Sequence, residues 1–185
     1  MTATTLAQAI DSTKAVIGAV NKEQLDLSTP CASWKVSELI NHMIGAQYFF
    51  VAGVAGEAPS GDSPDFAAGD FVAAFDEASS AALAAFSADG VMESMLTTPM
   101  GPMPGAAFAG LASTDTFVHG WDLAKATGQN TDLAPELAAG LLTGAKASIP
   151  DAYRGPEGAP FGVEQSAPAG ASTADQLAAF LGRSV

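Results

Sequence analysis

The chain has 185 residues, 48% of them hydrophobic and 15% charged, which suits one domain with a buried core and excludes a disordered chain. Its 20 acidic residues against 7 basic ones give a formal charge of -13 with no cluster of Lys and Arg. That excludes nucleic-acid binding through phosphates and disfavours an anionic membrane surface, and the lone Cys31 excludes an intramolecular disulfide.

The hydrophobic pattern is helical almost throughout. Leu6, Ile10, Val16, Ile17 and Val20 recur at helical spacing and predict a first amphipathic helix over residues 3–20. A polar connection follows, and Pro30 biases Thr29 away from helix. A second helix is expected from about Trp34–Val36 to Val54, with Leu39, Ile40, Met43, Ile44, Phe50 and Val51 facing the core. Glu38 stands where a capping-box acid belongs if Lys35 is the N-cap, and Ser33 is the alternative start. Residues 55–64 read as a loop. A third helix is expected over residues 64–88 on Phe66, Phe71, Phe75, Leu83 and Phe86.

Residues 91–105 carry Pro99, Pro102, Pro104 and four methionines and read as an extended or irregular crossover. A fourth long helix is expected over residues 106–127, stopped by Gly128. Asp132 is the expected cap of a helix over residues 133–149. After a Pro- and Gly-rich stretch, Ser172 caps a last short helix, with Asp175 completing a capping box. Strand signals are weak, so the expected class is all-α, a helix bundle with additions. The longest apolar run, Met43 to Gly56, falls short of a membrane span, and no basic n-region marks a signal peptide. The expected location is the cytoplasm.

Chemistry concentrates on the fourth helix. Asp115, His119 and Asp122 lie at i, i+4 and i+7, so they form one polar stripe, which is costly on a buried face unless its members find partners. The only other histidine, His42, lies mid-way along the second helix. If the two helices are neighbours, His42, Asp115 and His119 make a three-donor metal site with open positions, the arrangement of a catalytic rather than a structural metal. The competing reading is a hydrogen-bonded Asp–His pair and a packed core histidine. A di-iron carboxylate site fails on inventory, because it needs two Glu-x-x-His pairs and the chain has none. Cys31 precedes a helix N-terminus; a reactive thiol and a buried entry residue are both open, and the second is favoured. Trp121 reads as packing.

Two segments carry a resemblance. They are Thr29-Pro30-Cys31-Ala32-Ser33-Trp34-Lys35-Val36-Ser37-Glu38-Leu39-Ile40-Asn41-His42 and Val118-His119-Gly120-Trp121-Asp122-Leu123-Ala124-Lys125-Ala126-Thr127-Gly128. They resemble the signature motifs of an actinobacterial metal-binding family related to the N-terminal domain of mycothiol-dependent maleylpyruvate isomerase, in the DinB-like superfamily. The ending Gln176-Leu177-Ala178-Ala179-Phe180-Leu181-Gly182-Arg183 is also similar to that group.

The resemblance implies a DinB-like four-helix bundle with extra C-terminal helices, a single metal-binding domain over residues 1–185. It implies a divalent metal, zinc first and nickel or iron as alternatives, held by His42, Asp115 and His119. Asp115 stands where the family carries Glu, one methylene longer. Asp122 is assigned to support a ligating histidine by hydrogen bonding rather than to ligate. The implied function is a metal-dependent enzyme using a low-molecular-weight thiol, of the mycothiol type, for thiol transfer or isomerisation. The implied partner is a small-molecule thiol or electrophile, and a homodimer is left open. The alternative is a non-catalytic metal- or ligand-binding helical module. Maleylpyruvate itself fits poorly: Arg154 and Arg183 are the only arginines, and relatives with that activity draw a catalytic arginine from a further domain.

Overall fold

The first helix, α1, spans Ala3–Ile17, and its first turn is closed by a reciprocal cap. The Thr5 backbone N–H donates to Thr2 Oγ1 at 3.2 Å, and the Thr2 N–H donates to Thr5 Oγ1 at 3.3 Å. In this computed structural model residues 2–31, 34–59, 61, 64–155, 159 and 161–185 are described. Helix α2 spans Val36–Ala55. Its N-cap is Lys35, whose side chain holds Asp26 at 2.7 Å instead of capping. Glu38 compensates by accepting from the Lys35 N–H at 2.8 Å. The alternative start at Ser33 lies outside the described residues. The left-handed Gly56 (φ 73°) ends the helix.

Helix α3 spans Phe71–Phe86 and starts later than the apolar pattern suggests. Phe66–Ala68 form only a 3₁₀ turn, Gly69 breaks the path, and Asp70 Oδ1 then caps the helix by accepting from the Ala73 N–H at 3.0 Å. The expected extended or irregular crossover is extended and pairs into a hairpin, so the all-α expectation is corrected to a mostly helical fold with a small two-stranded sheet. Strands β1 (Met95–Thr98) and β2 (Gly101–Pro104) pair antiparallel, with Thr98 opposite Gly101 and Met95 opposite Pro104. Prolines argue against central strands but are tolerated here because both strands are edges. Thr98 Oγ1 closes the turn by donating to the Gly101 carbonyl at 2.7 Å.

Helix α4 spans Gly105–Ala126 and is the spine of the molecule, buried continuously from Thr116 to Ala124. Its end is the expected one. Gly128 is left-handed (φ 72°), and Gln129 N–H donates to the Ala124 carbonyl at 2.8 Å. Helix α5 spans Pro135–Ser148, and Asp132 does not cap it. Pro135 sits at the first helical position, where its missing N–H costs nothing, and this sets a later start. Helix α6, Thr173–Phe180, has the expected Ser172 cap, which accepts from the Asp175 N–H at 3.1 Å.

Helices α1 to α4 form a bundle in which α1 lies against α4 and α3, and α2 against α3 and α4. Helices α5 and α6 pack on each other and on the outer side of α4. Phe50, Phe86, Phe108 and Leu6 fill one end of the bundle. Leu39, Ile40, Met43, Ile44, Phe75 and Leu123 fill the other. Trp121 and Phe117 join the C-terminal pair to the bundle. Close approach of α1 to α4 depends on Gly120, where a Cβ would meet Thr13 Oγ1 at 2.5 Å. Helix α4 therefore has α2 on one side and α6 on another, and its polar stripe lies between partners.

Candidate metal centre

The adjacency of α2 and α4 brings His42 to Asp115 and His119. Asp115 Oδ1 lies 3.5 Å from His119 Nε2 and 3.9 Å from His42 Nε2. The two imidazoles meet edge to face with centroids 4.6 Å apart. Trp34, at the entry to α2, covers both rings, at 4.6 Å from His42 and 6.1 Å from His119. One donor from each of His42, Asp115 and His119 falls within 4.8 Å of the others. The shorter carboxylate at position 115 therefore still reaches both imidazoles.

Two features of this geometry fit a divalent cation. Donors around one tetrahedral zinc stand about 3.4 Å apart, from bond lengths near 2.1 Å; the Asp115–His119 separation is close to that, and the Asp115–His42 separation is somewhat longer. Among the described residues His42 Nε2 is also buried with no hydrogen-bond partner, an arrangement that costs free energy unless a ligand takes its lone pair. Burial acts to raise the Asp115 carboxyl, but the charge of His119, and then the nearby His42, outweigh it and hold Asp115 well below the usual carboxylate range. For His119 burial acts downward, and the Asp115 charge and the bonds to Asp115, Asp122 and Cys31 carry it well above the usual imidazole value.

The other edge of His119 is fixed from behind. Its Nδ1 lies 3.0 Å from Oδ2 of Asp122, whose side chain is fully buried. Asp122 also accepts from Cys31 Sγ at 3.0 Å and from Arg183, whose Nε reaches Oδ1 at 3.2 Å and Nη2 reaches Oδ2 at 2.9 Å. Burial opposes ionisation of Asp122, but the His119 hydrogen bond and the Arg183 charge prevail and bring its pKa down to about 2. Cys31, His119 and Asp122 form a second group of potential metal donors. The guanidinium of Arg183 already supplies positive charge there, with Nη2 3.6 Å from Cys31 Sγ.

Three of these neighbours escape a sequence reading. Arg183 lies 61 residues from Asp122 along the chain, and no periodicity links them. Cys31, favoured above as a buried entry residue, is only half-buried and bonds to Asp122. Trp34 precedes the N-cap of α2, and nothing in its spacing announces that it packs on two imidazoles. Trp121 packs, with Nε1 donating to Asp175 Oδ1 at 2.8 Å.

A family model described as the mycothiol maleylpyruvate isomerase N-terminal domain matches residues 6–124, a span that holds His42, Asp115, His119 and Asp122. The chain belongs to this family. Within the mycothiol maleylpyruvate isomerase N-terminal family, it is 42% identical over 178 residues to Uncharacterized protein MT0763 of Mycobacterium tuberculosis strain CDC 1551 / Oshkosh, covering 96% of this chain and 95% of that one. Uncharacterized protein Rv0738, from a second strain of that species, matches with the same identity and coverage. Among solved structures, the mycothiol-dependent maleylpyruvate isomerase superposes with a TM-score of 0.59 at 16% identity. The match covers 76% of this chain and 65% of that enzyme, so this chain spans less than two thirds of its length. A single-residue mutant of the same enzyme gives the same TM-score at 15% identity. At these identities the likeness concerns the fold. Arg183 lies beyond the span that the family model matches.

Proposed function

We propose that this protein binds one divalent metal, zinc in the first instance with nickel or iron as alternatives, through His42, Asp115 and His119. We further propose that it acts as an enzyme on a low-molecular-weight thiol of the mycothiol type, in thiol transfer or thiol-assisted isomerisation. The observation that carries the metal reading is the convergence of three donors from two helices, one of them the unpartnered His42 Nε2. Family membership supports the thiol. A bound divalent cation would lower the pKa of a thiol at an open position and favour the nucleophilic thiolate.

The residues of the chain do the remaining work. Asp122 accepts at Nδ1 of His119, which orients the ring and leaves Nε2 facing Asp115 and His42. Trp34 packs beside the paired imidazoles. A dicarboxylate substrate is disfavoured, since both arginines are committed. Arg183 is bound to Asp122, while Arg154 donates to the Gly162 and Phe180 carbonyls and stacks on Phe180. A neutral or thiol-reactive electrophile fits the site better. Among the described residues no helix is long and apolar enough to cross a membrane. We place the protein in the cytoplasm, where thiols are kept reduced.

The test is a turnover assay. Metal-loaded protein, mycothiol and a panel of electrophiles should give metal-dependent thiol adduct or isomer. If calorimetry detects no thiol binding to the loaded protein, the enzymatic reading fails and a binding module remains.

A further inference from the structure

The C-terminal tail reaches the metal centre through one residue, and three features aim it there. Helix α6 ends in a Schellman motif: the Gly182 N–H donates to the Ala179 carbonyl and the Arg183 N–H to the Ala178 carbonyl, each at 3.0 Å. Gly182 is left-handed (φ 96°), and a Cβ on it would stand 2.6 Å from Gly162 Cα, so only glycine permits this turn in this place. Arg183 Nη1 then donates to the Leu181 carbonyl at 3.1 Å, which fixes the guanidinium plane. Its remaining edge grips both oxygens of Asp122 in a fork.

We infer that Arg183 is a positioning residue for the metal centre: through its fork on Asp122 it sets the orientation of His119, so the C-terminal tail is a working part of the site. This deepens the proposed metal reading and rests on it where metal affinity is concerned. The physical link is short. Asp122 is fully buried, and of the four hydrogen bonds it makes among the described residues Arg183 supplies two, which together hold both oxygens at once. Without Arg183, Cys31 and His119 both bond a single oxygen, Oδ2, and the carboxylate can swing about its last bond. His119 then loses the fixed acceptor that orients its ring, and removing such support typically weakens a metal site by roughly 10–100-fold.

The test uses the full-length protein with Arg183→Ala, Arg183→Lys and Gly182→Ala, each checked for helicity by circular dichroism. Gly182→Ala keeps the guanidinium but disturbs the turn that aims it. Two readouts are taken. In metal-free protein, the His119 ring N–H bonded to Asp122 should give a slowly exchanging, downfield proton signal by NMR. That signal should be lost in Arg183→Ala and Gly182→Ala and partly kept in Arg183→Lys, which retains the charge without the fork. In the second readout, zinc affinity by chelator competition should fall about 10–100-fold in the first two and less in the third.

Asp175→Ala is the control. It removes the Trp121 contact of α6, so it should lower thermal stability while the His119 signal stays. An unchanged signal with unchanged zinc affinity in Arg183→Ala overturns the inference. Should Arg183→Ala fail to fold, Arg183→Lys and Gly182→Ala decide by the same criterion. If the wild-type protein takes up no zinc, the metal reading fails, and the metal-free signal alone decides whether Arg183 positions His119.

Discussion

At the scale of single residues, Asp115 and His119 carry the site. Asp115 lies between two imidazoles, and its carboxylate charge is what holds His119 up and would help to hold a cation. Asp115→Asn keeps the size and removes the charge. It should lower zinc affinity by more than the roughly 10–100-fold that removing a ligand's hydrogen-bond partner costs, read by chelator competition. His42 offers a cleaner case, because its Nε2 has no hydrogen-bond partner to lose among the described residues. His42→Ala should weaken metal binding while the metal-free fold loses little stability. A variant that instead lowers metal-free stability by several kcal/mol would mark His42 as a packing residue, the competing reading of a histidine on a helix face.

At the scale of elements, α4 determines how much is gathered at one place. Gly120 follows His119 directly, and its role is packing: it lets α1 approach until Thr13 can donate to the Thr116 carbonyl at 3.0 Å. Gly120→Ala should destabilise by about 1–3 kcal/mol in urea unfolding, the usual cost of overpacking a close contact. The junction of α4 with α6 gives a pH prediction. Burial acts to raise the Asp175 carboxyl, but hydrogen bonds led by that from Trp121 lower it below its ordinary value of 3.8. A carboxyl depressed by folding stabilises the protein above its unfolded pKa, and the contribution is lost as pH falls through the lower folded value. Asp175→Asn should therefore flatten the fall in stability below about pH 4, measured by unfolding at a series of pH values. An acid dependence identical to that of the wild type would remove Asp175 from the account.

At the scale of the whole molecule, the parts legible in the sequence were those with short-range causes. The helices announced themselves by apolar spacing, and α6 by a Ser172 cap three residues before Asp175. The stop at Gly128 followed from its tolerance of positive φ. The hairpin was hidden because two prolines lie in β2 and each strand is only four residues long. The starts of α3 and α5 were misread because Asp70 and Pro135 override the apolar pattern. For the site, the i, i+4, i+7 stripe marked Asp115, His119 and Asp122, and His42 entered as the one remaining histidine. The link of Arg183 and Cys31 to Asp122 has no periodicity behind it and arises from tertiary packing of distant segments.

A bound ion that prefers the folded state adds stability by mass action, about 2.7 kcal/mol at a hundred times its dissociation constant, so zinc should raise the midpoint of thermal unfolding. The most direct measurement of the central claim is elemental analysis of the purified protein beside His119→Ala. The wild type should hold about one zinc, nickel or iron per chain and the variant should lose nearly all of it, as one three-donor site requires. A wild type free of metal after growth in metal-supplemented medium, or a variant that retains its full metal content, would contradict it.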